Sequence, residues 1–257
     1  MNNKLIKKIN DRLLEIDTEA KQITLSDSRF YKIKEKYYPS ITHVLQCYPK
    51  GKHFEDWLKK VGYSANYIVR KASDEGTEVH TLIEKYLKGE EIYYLTEHMS
   101  PKYDSNVWQM FLKFVEWYDL VKPEIIATEC ILYSDELGVS GTVDLICRID
   151  GELWIIDFKT SNYLSVTYDL QVAIYGKCYS EIFGEEPKRF GILWLKSNKR
   201  RNRKGFMQGK GWEIVESPRS FEENINIFKS VKTIFDIENK GIEPDFVNFK
   251  TYVKKDS

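Results

Sequence analysis

The run Leu153-Trp154-Ile155-Ile156 leads straight into Asp157, Phe158 and Lys159, and this segment restricts the fold more than any other. Four consecutive apolar residues predict a central strand. An ionised carboxylate at the end of such a strand is costly unless it is paired or coordinated. Side chains alternate along a strand, so Asp157 and Lys159 share one face while Phe158 points to the other. A second β-type run, Gly141 to Ile149, lies just upstream, joined by the tight turn Asp150-Gly151. Asp144 and Asp157 therefore fall on adjacent, hairpin-paired strands. Lys159 alone can neutralise Asp157 as an ordinary half-buried ion pair, but Asp144 then repels it. Two converging carboxylates raise each other's pKa unless a divalent ion neutralises both.

Magnesium suits such a site, because it prefers hard oxygen ligands and commonly uses one or two carboxylates plus substrate phosphate oxygens. The chemistry this favours is phosphodiester hydrolysis: the ion polarises a phosphoryl oxygen, and Lys159 positions the attacking water and offsets growing negative charge.

Around this hairpin the periodicity predicts a short helix at Lys4 to Ile16, and an alternating stretch Ile23 to Ile33 that ends at Tyr38-Pro39-Ser40 and reads as a strand and turn. Short helices follow at Ile41 to Gln46 and Phe54 to Leu58, then longer ones at Ala65 to Lys88 and Val107 to Leu120, the last closed by Pro123. Ile125 to Tyr133 completes a three-strand meander. Beyond it come a helix at Val166 to Phe183, a strand at Phe190 to Lys196, a strand-like Trp212 to Val215, and a helix at Ser220 to Asn239. The turn between those last two strands carries Lys199, Arg200, Arg201, Arg203 and Lys204. Such a cluster is ordinarily a solvated loop, but beside a phosphodiester site it would hold a nucleic-acid backbone with steep salt dependence.

The pattern Asp144 with Asp157-Phe158-Lys159 resembles the PD-(D/E)XK nuclease superfamily, and most closely its RecB-like branch. That branch reads acid, apolar residue, lysine, threonine on the second strand, as Asp157 to Thr160 does, followed by a helix with glutamine and tyrosine four apart, as in Gln171 and Tyr175. Gly76 to Glu84 resembles the setting of its helical metal-binding histidine, which maps to His80. Tyr38-Pro39-Ser40-Ile41-Thr42 is similar to the N-terminal region of phage-type and mitochondrial genome-maintenance-type exonucleases. The resemblance covers Tyr38 to Lys196.

It implies an α/β restriction-endonuclease-like core at residues 123–257, with a mixed central sheet flanked by helices, and a mainly helical region at 1–122, together one nuclease domain. It implies metal ligation by His80, Asp144, Asp157 and the Phe158 backbone carbonyl, catalysis by Asp144, Asp157 and Lys159, and support from Glu84, Glu129, Gln171 and Tyr175. For His80 and Glu84, one helical turn apart, the plain alternative is a local hydrogen bond. Gln171 and Tyr175 equally suit polar gaps beside the sheet.

Lysine plus arginine and aspartate plus glutamate are 39 each, so any nucleic-acid affinity must come from local charge asymmetry. No stretch has signal-peptide or membrane-span character, and Cys47, Cys130, Cys147 and Cys178 are dispersed among apolar neighbours without metal-knuckle spacing. They read as small buried hydrophobes in a chain expected in a reducing, cytoplasmic setting, bacterial or phage-infected. Iron–sulfur members of the branch it resembles carry a cysteine near the start and three near the end, whereas none follows Cys178 here, so an iron–sulfur cluster is not expected. Walker-type and dinucleotide loops are absent, so no ATP use is expected and any motor would be a helicase or recombination partner. The resulting expectation is a Mg2+- or Mn2+-dependent DNA nuclease, exonucleolytic on single strands or ends. A structure-selective endonuclease and a non-catalytic DNA- or partner-binding protein on the same fold are the alternatives.

Overall fold

In the computed structural model, residues 3–24, 28–196, 211–239, 243–244, 250 and 252–254 are described. Strands β4 (Glu124–Ser134), β5 (Val139–Ile149), β6 (Glu152–Lys159), β7 (Arg189–Trp194) and β8 (Glu213–Glu216) form one sheet in the order β4-β5-β6-β7-β8. Only the β6–β7 pair is parallel, which makes the sheet mixed. Parallel neighbours need a crossover, and helix α6 (Val166–Phe183) supplies it. The β5–β6 turn places Asp150 and Gly151 both at positive φ, 52° and 82°, the backbone a two-residue hairpin demands.

Both faces of the sheet are covered, which explains why β6 is apolar at four consecutive steps, Leu153 to Ile156. Leu153 and Ile155 enter a core with Leu170, Ile174 and Cys178 of α6 and with Phe228 and Phe235 of helix α7 (Phe221–Glu238). Trp154, Ile156 and Phe158 enter the opposite core with Val79 and Leu82 of α4 (Ala65–Leu87) and Phe111, Phe114 and Trp117 of α5 (Ser105–Val121). Helix α7 starts on a capping box in which Ser220 and Glu223 satisfy each other's backbone groups.

The N-terminal region contains more strand than its sequence announces. After α1 (Asn3–Glu19), β1 (Ala20–Thr24), β2 (Arg29–Ile33) and β3 (Lys36–Pro39) form a separate antiparallel sheet, so the single alternating stretch is two paired strands followed by a third. The β2–β3 turn has Lys34 at φ 55°, without the glycine or asparagine that would have marked it. Ile16, Tyr31, Ile33 and Tyr38 form a small core of their own. Among the contacts that dock this sheet on the main one, Tyr31 Oη shares a 3.0 Å hydrogen bond with Thr142 Oγ1, Ser40 bridges Ser140, and Lys36 and Tyr38 each donate to Asp135 at 2.8 Å. Short helix α2 (Ile41–Val44) then starts on Ser40, whose Oγ accepts from His43 N at 3.0 Å. Helix α3 (Lys52–Val61) is longer than the five residues expected and buries none of them.

Three of the four cysteines are buried and Cys47 is half-buried; all are free. Among the described residues no helix is long and apolar enough to cross a membrane.

Phe158 is wedged edge-on between Phe114 and His80, with ring centroids 5.3 and 5.7 Å away. Phe114→Ala, remote from the polar face, is expected to destabilise the protein by about 3–5 kcal/mol, read as a shifted urea midpoint. An unchanged midpoint would mean that α5 does not hold β6 from behind.

Candidate active site

Extending the β5–β6 register one step beyond Leu145–Ile156 sets Asp144 opposite Asp157. On the other side, Thr128 pairs with Leu145 and Cys130 with Val143, so Glu129 sits across from Asp144. Three acids therefore lie in a row across β4, β5 and β6. Directly opposed like charges destabilise a sheet, and Asp144 and Asp157 are buried. Glu129 also has φ 48°, a left-handed conformation costing roughly 1–2 kcal/mol for a residue with a Cβ. Strain of this kind concentrates at functional sites, where surrounding contacts enforce it.

Cations approach the row from both sides. Helix α4 brings His80 Nδ1 to 3.4 Å from Asp144 Oδ1 and 3.8 Å from Glu129 Oε1, while His80 Nε2 lies 3.2 Å from the Phe158 carbonyl oxygen. A ring N–H donated to that carbonyl leaves Nδ1 facing the acids, the usual arrangement of a metal-binding histidine. Lys159 Nζ lies 2.6 Å from Asp157 Oδ2 and donates to Gln171 Oε1 at 3.1 Å. Gln171 Nε2 in turn donates to Asp157 Oδ1 and Tyr175 Oη, both at 2.9 Å. Asp144 Oδ2 accepts from the Phe158 backbone N–H at 2.6 Å. Tyr175 can come this close because β5 has a glycine there: a Cβ on Gly141 would lie 2.7 Å from the tyrosine ring.

These surroundings set the charges. Burial opposes an imidazolium at His80, but Asp144 and Glu129 outweigh it and hold its pKa well above the ordinary value. Burial raises Glu129, against the pull of His80. Asp144 stays low because His80, Lys159 and the Phe158 N–H together overcome its burial. Burial pushes Asp157 up to about 6 despite Lys159, and Asp144 adds to the rise. Lys159 is driven upward by Asp157 and Asp144 against its burial.

The donor set fits a divalent cation. His80, Glu129 and Asp144 each offer one ligand atom, all within 4.8 Å of one another. Asp157 Oδ2 is buried and, apart from the adjacent Lys159 ammonium, has no hydrogen-bond partner among the described residues. With His80 deprotonated, as a ligand must be, three carboxylates against one lysine leave two negative charges, which a divalent cation balances. One imidazole nitrogen with carboxylate oxygens suits manganese as well as magnesium.

The cavity in front of the row has a volume of about 300 Å³ and is lined by His80, Glu129, Asp144, Asp157, Lys159, Gln171 and Tyr175. Its far wall belongs to the N-terminal region: Gln22, Arg29 and Tyr31 of the small sheet, with Ser40 and Thr42. Sequence reasoning missed Gln22, Arg29 and Tyr31, which reach the site only through long-range pairing. Ser40 and Thr42 lay in a motif to which no role was attached. Glu129, taken from sequence only as a supporting residue, stands inside the cluster. Glu84 does not line the cavity; it pairs with Lys88 at 2.6 Å. The basic run Lys199, Arg200, Arg201, Arg203 and Lys204 lies outside the described residues.

A model of the PD-(D/E)XK nuclease superfamily matches residues 57–245. No curated protein matches the sequence. A solved structure entitled "Crystal structure of SSO0001" aligns over 90% of this chain and 84% of that chain, at 13% identity and a TM-score of 0.34, too low a likeness to bear on the fold.

Cation uptake at this site must displace the His80 proton and, in acid, the Asp157 proton. Manganese affinity is therefore expected to fall as pH drops through about 6, with protons released on binding at neutral pH. Calorimetric titration in buffers of different ionisation enthalpy measures both. Equal affinity at pH 5.5 and pH 8, without proton release, would remove these groups from the site.

Proposed function

The chain belongs to the PD-(D/E)XK nuclease superfamily, and from that premise we propose that it is a divalent-metal-dependent deoxyribonuclease hydrolysing phosphodiester bonds in the cavity bounded by Asp144, Asp157 and Lys159. One observation carries the reading: the three-acid row, with a histidine on one side and a lysine on the other, opens into a single cavity. A structural ion pair would need neither the third carboxylate nor the strained Glu129.

His80, Glu129 and Asp144, with Asp157 alongside, would hold a divalent ion, Mg2+ or Mn2+, which would supply Lewis-acid polarisation of a phosphoryl oxygen and a more acidic water. Asp157 adds negative charge to that site and anchors Lys159. Gln171 fixes both, since its amide group contacts the Asp157 carboxylate and the Lys159 ammonium at once. Held there, Lys159 orients the attacking water and opposes charge developing on the phosphate, and such fixed charges act strongly in a partly dry site. The Phe158 carbonyl, proposed from sequence as a ligand, contacts His80 Nε2 and thereby orients the imidazole.

The substrate we assign is DNA, attacked exonucleolytically on single strands or at ends, because the sequence carries no recognisable reader-helix or dimer motif. Linear, end-blocked and covalently closed circular DNA with Mg2+ or Mn2+ test this directly. Degradation confined to substrates with free ends is expected, and cutting of closed circles would make the enzyme an endonuclease. Asp157→Ala is expected to abolish cleavage with the melting temperature retained. Lys159→Ala should reduce turnover about 10²–10³-fold, and Glu129→Gln should weaken metal uptake before it affects folding. Full activity in Asp157→Ala would reject the assignment.

A further inference from the structure

Helix α4 leaves the body of the protein at Gly76, where a Cβ would lie 3.0 Å from Thr160 Oγ1, one residue past Lys159. From Asp74 back to Asn66 every residue is exposed, and α3 buries no residue. The two helices form an arm standing out from the mouth of the candidate active site. A helix exposed all round is ordinarily polar, yet this arm displays Leu58, Tyr63, Tyr67, Ile68 and Val69, with Tyr63 107% and Tyr67 70% exposed. On α4, Tyr67, Arg70 and Lys71 share a face by their spacing of three and four.

We propose that this arm is a landing surface for single-stranded nucleic acid, feeding it along α4 toward His80. The inference rests on the nuclease reading above and deepens it by naming the form of the substrate. Charge complementarity selects the occupant: residues 50–76 carry Lys50, Lys52, Lys59, Lys60, Arg70 and Lys71 against Glu55, Asp56, Asp74 and Glu75, with Lys59 and Lys71 paired to Asp56 and Glu75, so the arm is net positive in a chain of zero net charge. Exposed tyrosines interleaved with cations combine stacking faces for bases with charges for the backbone. Bases offer such faces only when unpaired, so the form recognised is the single strand. A protein partner would instead meet an apolar centre depleted of charge. The distance fits delivery, since Tyr67 to Gly76 spans about 14 Å of helix and ends beside Thr160.

The test uses the full chain with a fluorescein-labelled 20-nucleotide oligodeoxythymidylate in EDTA, which prevents cleavage. Tyr63→Ala with Tyr67→Ala is expected to weaken binding tenfold or more and leave duplex binding unchanged, with an unaltered melting curve because both side chains are exposed. Lys60→Ala with Arg70→Ala should lower the steepness of the salt dependence by about one to two in slope. Binding of the tyrosine variant within twofold of the wild type overturns the proposal. So does arm-dependent binding to anionic phosphatidylserine vesicles, or conversion of a dimer to a monomer, when oligonucleotide affinity is unchanged. Hydrolysis of bis(p-nitrophenyl) phosphate with Mn2+, a diester small enough to enter without the arm, tests the nuclease reading separately. Failure there with arm-dependent oligonucleotide binding sinks the nuclease reading alone, whereas hydrolysis with arm-independent binding sinks the landing surface alone.

Discussion

Three carboxylates set side by side across three neighbouring strands are the constraint around which this molecule is arranged. Glu129, Asp144 and Asp157 repel one another in a place where water screens them poorly. Lys159, in contact with Asp157, does not restore that acid to its ordinary range. Holding Asp157 ionised at neutral pH then costs on the order of 3 kcal/mol. A fold whose net stability is about 5–15 kcal/mol keeps such a feature only if the surrounding packing enforces it. The strained backbone at Glu129 adds to the same burden, and local violations of this kind are expected where function overrides stability.

The packing that enforces it comes from β6 being buried on both faces. Phe158 is locked from behind by Phe114 and touches His80 edge-on, so the strand cannot turn to expose Asp157. On the polar face, α6 places Gln171 and Tyr175 one turn apart, and Gln171 spans Asp157 and Lys159. Each helix layer thus has two tasks, filling a core and presenting one or two polar groups to the row. The N-terminal sheet closes the far wall through the Tyr31–Thr142 and Ser40–Ser140 contacts.

How much of this was legible follows from the range of the interactions involved. The Asp150-Gly151 turn requires positive φ at both positions, which fixes the register and sets Asp144 against Asp157. Helix α6 was legible from its own periodicity, and the structure adds Ser165 as its cap. His80, Gln171 and Tyr175 came from resemblance, and the structure brings all three to the cavity. Glu129 was undervalued because its place depends on a register shift near Ile125 and on a left-handed residue inside a strand. Glu84, expected only in support, pairs with Lys88 outside the cavity.

By itself the sequence determined most helices and the strands of the main sheet, the hairpin and the acid–lysine pattern, since these rest on short-range periodicity and turn chemistry. Tertiary structure alone decided that Glu129 completes the cluster, that Gln171 spans Asp157 and Lys159, and that Gln22, Arg29 and Tyr31 form a wall of the same cavity. It also decided that Tyr63 and Tyr67, with Arg70 and Lys71 of α4, remain outside the cores. The physical reason is the same in each case: pairing between distant strands, and burial against remote helices, depend on how the whole chain packs and leave no local periodicity to read.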